Sequence, residues 1–318
     1  DVFTERLCRA LNDQGIRAEI TWLPHRAEYA PWSVPVPKPP AWANVVHINS
    51  WLPPRFVPAG IPVVATVHSS VHDPALLPYK SRLQALYHKH WIHPIEAANL
   101  KRADCVIAVS HYTAAQVETS FGVHDIQVIH NGIDCHMFTP STRNAPNRPF
   151  RLLYVGNWSA RKGVDLLAPI MERLGDDFIL QYTADRNGAH RRFRLPSNSE
   201  CLGRLTGKSL VRAYQEADAL LFPSRLEGLP LVPLESMACG LPVIACKTSS
   251  LPEVVEDKVT GFLCIPNKTE DFVDACQHLR TDQDFWRRMR QIARIKAFSS
   301  FNESTFVMRY LQLYHSFF

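Results

Sequence analysis

Residues 218–246, DALLFPSRLEGLPLVPLESMACGLPVIAC, constrain the fold more than any other part of the chain. Ala219–Phe222 is an apolar run of strand length, stopped by Pro223 and Ser224. Pro230 suits the first turn of a helix, and Gly240 the position just past its end. Leu241–Cys246 resumes as a second buried strand. Strand, loop, helix and strand in this order predict a parallel sheet with crossover helices. The loop before the helix then lies at the carboxyl end of a strand, where open α/β sheets bind ligands. Glu227 falls in that loop and Glu235 in the helix. The backbone amides of Gly228, Leu229, Leu231 and Val232 gather at the positive helix end, a natural seat for a diphosphate.

A chain of 318 residues suits two domains of roughly 100–200 residues each. No run of 18 or more apolar residues occurs, so no spanning helix is expected. Eight cysteines are scattered without a C-x-x-C pair, mostly in apolar runs, which reads as free buried thiols in a reducing compartment. Up to Pro140 there are 11 Lys and Arg against 11 Asp and Glu, so the remaining 24 against 19 carry the whole net charge of +5. That balance suits phosphate-bearing ligands or an anionic membrane surface and gives no sign of a nucleic-acid partner. The histidines of the first part match no metal-ligand spacing, and neither a P-loop nor G-x-G-x-x-G is present.

In chain order, Val2–Leu11 has a helical pattern closed near Gly15, and Ile16–Leu23 reads as a strand. The proline-rich stretch Pro24–Pro40 predicts extended loop. Strands are expected at Asn44–Ile48 and Pro62–Val67, the latter ending at His68. Leu76–Lys101 is helical in pattern, with Pro94 expected to kink or break it. Its stripe at 83, 86, 87 and 90 fits core packing, whereas the neighbouring Tyr79, Lys80, Arg82, Tyr87, Lys89 and Trp91 also fit a membrane interface. Ala103–Val109 is a strand, and Ser110 caps a helix at His111–Phe121. Ile126–Ile129 is another strand before an Asn131-Gly132 turn, and Phe138–Pro149 reads as a linker.

The second half opens with a strand, Arg151–Val155, then the loop Gly156-Asn-Trp-Ser-Ala-Arg-Lys162-Gly163, then a helix through Leu174. Strand, glycine loop with cations, and helix end is an arrangement that neutralises a diphosphate. Phe178–Thr183 and Glu200–Leu205 are strands around a basic loop, Asp185–Ser199, which reads as a solvated face or a contact for an anionic acceptor. Ser209–Ala217 is a helix, and the tail from Asp271 is helical throughout.

The string from Glu227 to Glu235, EGLPLVPLE, followed by SMACGLPVIA, resembles the donor-site signature of family 4 retaining glycosyltransferases. So do A-D-C-V-I-A-V-S and V-I-H-N-G-I-D upstream. The resemblance implies the α/β GT-B fold, two Rossmann-like domains facing each other across a cleft. The first would be 1–140, the second 150–301, with a helix near 302–318 crossing back onto the first. The chain opens on a helix, so the family's first strand and its glycine-rich loop are expected to be absent.

The implied activity is transfer of a hexose-type sugar from a UDP- or GDP-sugar to a glycan or lipid-linked acceptor, without metal or other cofactor, in the cytoplasm or at the inner membrane face. His68 would face the donor sugar, Glu227 its hydroxyls, and Glu235 the ribose. Lys162 and Gly156 would serve the diphosphate, and Arg204 the nucleotide base. Where the family carries an arginine this chain has Asn157, and Arg161 is the nearest substitute. Another GT-B enzyme, an epimerase or phosphorylase, and a non-catalytic nucleotide-sugar-binding subunit are the alternatives.

Overall fold

The computed structural model describes residues 2–184 and 188–318; Asp1 and, in the basic loop, Asp185, Arg186 and Asn187 lie outside the described residues. The chain forms two compact units, 1–132 with 303–318, and 133–302.

The first unit contains α1 (Val2–Asp13), β1 (Val46–Asn49), β2 (Val63–Val67), α2 (Arg82–Tyr87), α3 (His93–Arg102), β3 (Cys105–Ala108), α4 (His111–Phe121), β4 (Gln127–Val128) and the C-terminal helix Glu303–His315. Its four strands pair in parallel in the order β1-β2-β3-β4. Side chains alternate across a strand, so each β2 residue commits to one face. Val64 joins Ile107, Leu7 and Leu11 of α1, and Phe306 and Tyr310 of the C-terminal helix. Val63, Ala65 and Val67 join Val106, Leu100 and Val117 on the other face. Burial on both faces explains the unbroken apolar run, each such Val or Ile contributing roughly 1.5–3 kcal/mol. Gly132 lets the C-terminal helix dock closely: a Cβ there would lie 2.7 Å from Cβ of Phe306 and 2.9 Å from Cα of Glu303.

Two expectations for this unit are corrected. Ile16–Leu23 forms no strand. The backbone N–H and C=O of Ala18 bond instead to the side-chain amide of Asn12, at 3.2 and 3.0 Å. Leu76–Lys101 is interrupted as expected, but not at Pro94 itself: a 3-10 turn (Pro74–Tyr79), α2 and a π turn (His88–Ile92) precede α3. The wide π turn leaves Pro94 in the opening turn of α3, where its missing N–H is tolerated. The stripe also divides. Tyr87 donates to Glu28 at 2.9 Å, while Leu83 is 80% and Leu86 54% exposed. Core packing therefore does not account for these two leucines. Lys80 turns inward and donates to the carbonyl of Val71.

The second unit contains β5 (Phe150–Tyr154), α5 (Leu167–Leu174), β6 (Phe178–Thr183), β7 (Ser199–Gly203), α6 (Lys208–Glu216), β8 (Ala219–Phe222), α7 (Leu231–Ala238), β9 (Val243–Cys246), α8 (Leu251–Val254), β10 (Gly261–Cys264), α9 (Thr269–Thr281) and α10 (Gln283–Ser300). The parallel strands run β10-β9-β8-β5-β6-β7. The chain starts in the middle at β5, builds outward through β6 and β7, then returns to β8 on the other side. Between β5 and β8 lies the topological switch point, where doubly wound sheets open a crevice at their carboxyl ends.

Residues 138–149 are fastened to this unit. Arg294 donates to the carbonyl of Phe138 at 2.8 Å and Arg290 to that of Arg143 at 2.5 Å. The buried carboxylate of Asp218 accepts from Arg143 and Asn147. The helix expected after Gly163 begins only at Leu167, behind two 3-10 turns. Five of the eight cysteines, 135, 239, 246, 264 and 276, are buried, and burial pushes the thiols of Cys239 and Cys246 up to about 12.

Candidate functional site

The switch point brings together the loops that follow β5 and β8. Lys162, near the end of the first loop, donates from Nζ to Oε1 of Glu227 in the second at 2.5 Å. The Ser224 hydroxyl donates to the same oxygen at 2.5 Å, and Arg161 stands 3.9 Å from Oε2. The ammonium of Lys162 also lies 5.6 Å from the centre of the Phe222 ring. A carboxylate buried to 9% exposure is thus balanced by one close cation, one nearby guanidinium and a hydroxyl.

The loops are interlocked by backbone and side chain. The N–H of Arg225 donates to the carbonyl of Arg161 at 2.9 Å. Its guanidinium grips Asp165 with two bonds of 2.7 Å and reaches the carbonyl of Ala160. The hydrogen bond from Arg225 holds the Asp165 carboxyl below its ordinary range. Arg161 donates to the carbonyl of Leu226 at 2.6 Å. Gly163 packs so tightly that a Cβ would sit 2.0 Å from the carbonyl oxygen of Pro223. The loop after β9 completes the frame: Ser249 accepts from the N–H of Glu227 at 3.0 Å, and Ser250 donates to its carbonyl at 3.1 Å.

Beyond Glu227 the chain turns into α7, with Pro230 at the N-cap and no side-chain cap bond. Leu231 and Val232 lie in its first turn, preceded by Gly228 and Leu229 in the loop. Glu235, one turn further, is buried, and its Oε2 accepts from the Tyr214 hydroxyl at 2.8 Å. Burial, then the charge of Glu235, pushes the Tyr214 phenol well up, so Tyr214 stays a donor.

Gly156 and Asn157 lie earlier in the β5 loop; the N–H of Gly156 donates to Thr183 at 3.4 Å, and the carbonyl of Asn157 accepts from Tyr154 at 2.9 Å. Arg204 is exposed at the carboxyl end of β7, two strands from β5. In the first unit, His68 follows β2 with its ring edge-on to Phe3 at 4.4 Å. Burial holds its imidazole down to about 4, so it is neutral at physiological pH. His47 is held down to about 3 by burial and then by His68; it bonds Tyr314 and Thr66, each at 2.7 Å.

Ser224, Arg225, Ser249 and Tyr214 were not singled out from sequence. Only Ser224 had a local signal, as part of the Pro-Ser stop after the strand.

Residues 42–137 match the family described as Glycosyltransferase Family 4, and residues 149–282 match Glycosyl transferases group 1. The chain belongs to this glycosyltransferase family. It is 28% identical over 236 residues to an uncharacterized 41.2 kDa protein in the cps region of Klebsiella pneumoniae, covering 70% of this chain and 64% of that one. It thus spans less than two thirds of that relative. It is 26% identical over 298 residues to glycogen synthase of Mycobacterium tuberculosis, covering 85% and 68%. The structure of Anabaena HepE in complex with UDP-glucose superimposes with a TM-score of 0.71 at 17% identity, covering 97% of this chain and 88% of HepE. The fold class is GT-B.

Proposed function

We propose that this chain transfers a hexose-type sugar from a UDP- or GDP-sugar to a glycan or lipid-linked acceptor with retention of anomeric configuration. The observation that carries this reading is the Lys162–Glu227 pair at the switch point. On donor binding, Lys162 exchanges the carboxylate for the diphosphate, beside the amides of Leu231 and Val232. Glu227 is released to the sugar hydroxyls, Glu235 takes the ribose, and neutral His68 faces the sugar. The bond from C1 to the diphosphate oxygen breaks, its electron pair leaving with the nucleoside diphosphate. A bond from C1 to the acceptor oxygen forms on the same face, and the acceptor proton passes to the leaving diphosphate. HepE, named in complex with UDP-glucose, supports a nucleotide-sugar donor.

Charge on the leaving diphosphate is met by Lys162, Arg161 and helix amides, so a divalent ion is not required in this scheme. With a panel of UDP-glucose, UDP-galactose and GDP-mannose, nucleotide release is expected to depend on an acceptor and to persist in EDTA. Loss of release in EDTA, restored by magnesium or manganese, would sink the metal-independent scheme. Release of an altered sugar nucleotide without acceptor, or dependence on inorganic phosphate, would point to an epimerase or a phosphorylase instead.

The acceptor reading extends to an anionic membrane at the cytoplasmic face. Among the described residues no helix is long and apolar enough to cross a membrane. The exposed Leu83 and Leu86 stand beside the exposed cations Arg82 and Lys89. Lys80 is excluded from this face by its bond to Val71. Each surface cation contributes about 1 kcal/mol near an anionic leaflet, so two give roughly thirtyfold in partitioning. In vesicle sedimentation at low salt, Arg82→Ala/Leu83→Ser/Lys89→Ala is expected to lose that preference for anionic vesicles. Equal, weak binding of wild type to anionic and neutral vesicles would end the membrane reading.

A further inference from the structure

Glu96 of α3 is fully buried in the first unit, yet it touches neither a candidate site residue nor solvent. Its Oε1 accepts from the Ser50 hydroxyl at 2.7 Å, just past the end of β1. Its Oε2 lies 3.2 Å from Nε2 of His72, a close charge contact without hydrogen-bond geometry, and neither atom has a hydrogen-bond partner among the described residues. One turn on, the buried Asn99 donates to the carbonyls of Ser50 and Leu52 at 2.8 and 2.5 Å. The His72 ring is boxed edge-on by His93 and Phe121, at 4.9 and 5.3 Å. One helix thereby clamps the segments leaving β1 and β2 at the carboxyl edge of the sheet. The second of these segments starts at His68.

Stability does not account for such a group. A buried carboxylate with an imidazole partner is commonly neutral or unfavourable compared with apolar side chains of the same volume. What it fixes is conformation. We propose that Glu96, acting through His72 and Ser50, is a positioning residue for the loop 68–73 that holds His68 toward the donor sugar. The inference rests on the reading of His68 given above. Glu96 does no chemistry itself; it sets where the imidazole four residues before His72 can stand. Small displacements of a reacting group cost on the order of a hundredfold in rate.

The test uses the whole chain and the panel donor with the fastest nucleotide release. Glu96→Leu is expected to lower kcat on the order of a hundredfold, with KM for the donor and affinity for the nucleoside diphosphate unchanged. Amide hydrogen exchange in 68–73 is expected to quicken. Glu96→Gln, which keeps an acceptor for Ser50, should recover most of both. If Glu96→Leu does not fold, His72→Leu carries the same expectation, because it removes the imidazole facing Oε2 while the Ser50 bond survives. Unchanged exchange in 68–73 in whichever variant folds would overturn the inference. His68→Ala, made in parallel, separates the two layers. Full turnover in that variant would remove the role of His68, while faster exchange in the Glu96 variants would still support the clamp.

Discussion

Turnover by Glu227→Gln is expected to fall by a factor on the order of a hundred to a thousand, while affinity for the free nucleoside diphosphate stays level or rises. Lys162 is bonded to Glu227 at 2.5 Å, so a diphosphate must compete with a carboxylate for the ammonium. An amide at 227 lowers that competition but cannot meet the sugar hydroxyls as a charge-assisted acceptor. Glu235→Gln should behave in the opposite sense. Its carboxylate sits in α7 with Tyr214 donating to Oε2, and the proposed function gives it the ribose. Binding of the free diphosphate should weaken by about tenfold, the cost of a charged hydrogen bond made neutral. Calorimetry with UDP and GDP, beside single-turnover rates, reads both effects. Equal loss of diphosphate affinity in the two variants would mean that the roles of Glu227 and Glu235 are not divided.

Strands buried on both faces were the most legible parts of the chain. Phe178–Thr183 and Ala219–Phe222 were expected with the bounds they have, because apolar runs between turn residues carry their own limits. The cap at Ser110 was equally local: its hydroxyl accepts from the N–H of Thr113 at 3.0 Å. Ile16–Leu23 was not legible, since an apolar alternation becomes a strand only with a neighbour to pair, and Asn12 supplies a local substitute. The same limit applies to side-chain partners. Lys162 and Glu227 were each marked by sequence, but their bond joins residues 65 apart, and no local pattern announces it. Glu96 lay unmarked inside a mixed helical stretch, because burial of a carboxylate depends on which loops the fold brings above it. Lys80 looked like a surface cation and turned inward for the same reason.

Gly163→Ala is expected to be severely damaging for a single methyl group added to the second unit. Gly163 has φ +70, in the left-handed region, where an alanine costs roughly 1–2 kcal/mol. Its new Cβ would also meet the carbonyl oxygen of Pro223 at 2.0 Å, a backbone atom that cannot rotate aside. Overpacking of this kind adds about 1–3 kcal/mol, and the loops after β5 and β8 can relieve it only by separating. Lys162 is the adjacent residue, so the separation draws its ammonium from Glu227 and from the proposed diphosphate seat together. Melting should drop by roughly 5–15 °C, at about 2–4 °C per kcal/mol for a unit of this size. UDP affinity in the variant that remains folded should fall on the order of tenfold or more. Gly122→Ala is the matched control. It has φ +65 at the end of α4, with nothing within 4 Å of a new Cβ, and so carries the conformational cost without the collision. Scanning calorimetry of the two variants isolates the steric part. A Gly163→Ala protein that melts no lower than Gly122→Ala and binds UDP like wild type would show that the two loops are not held at this contact.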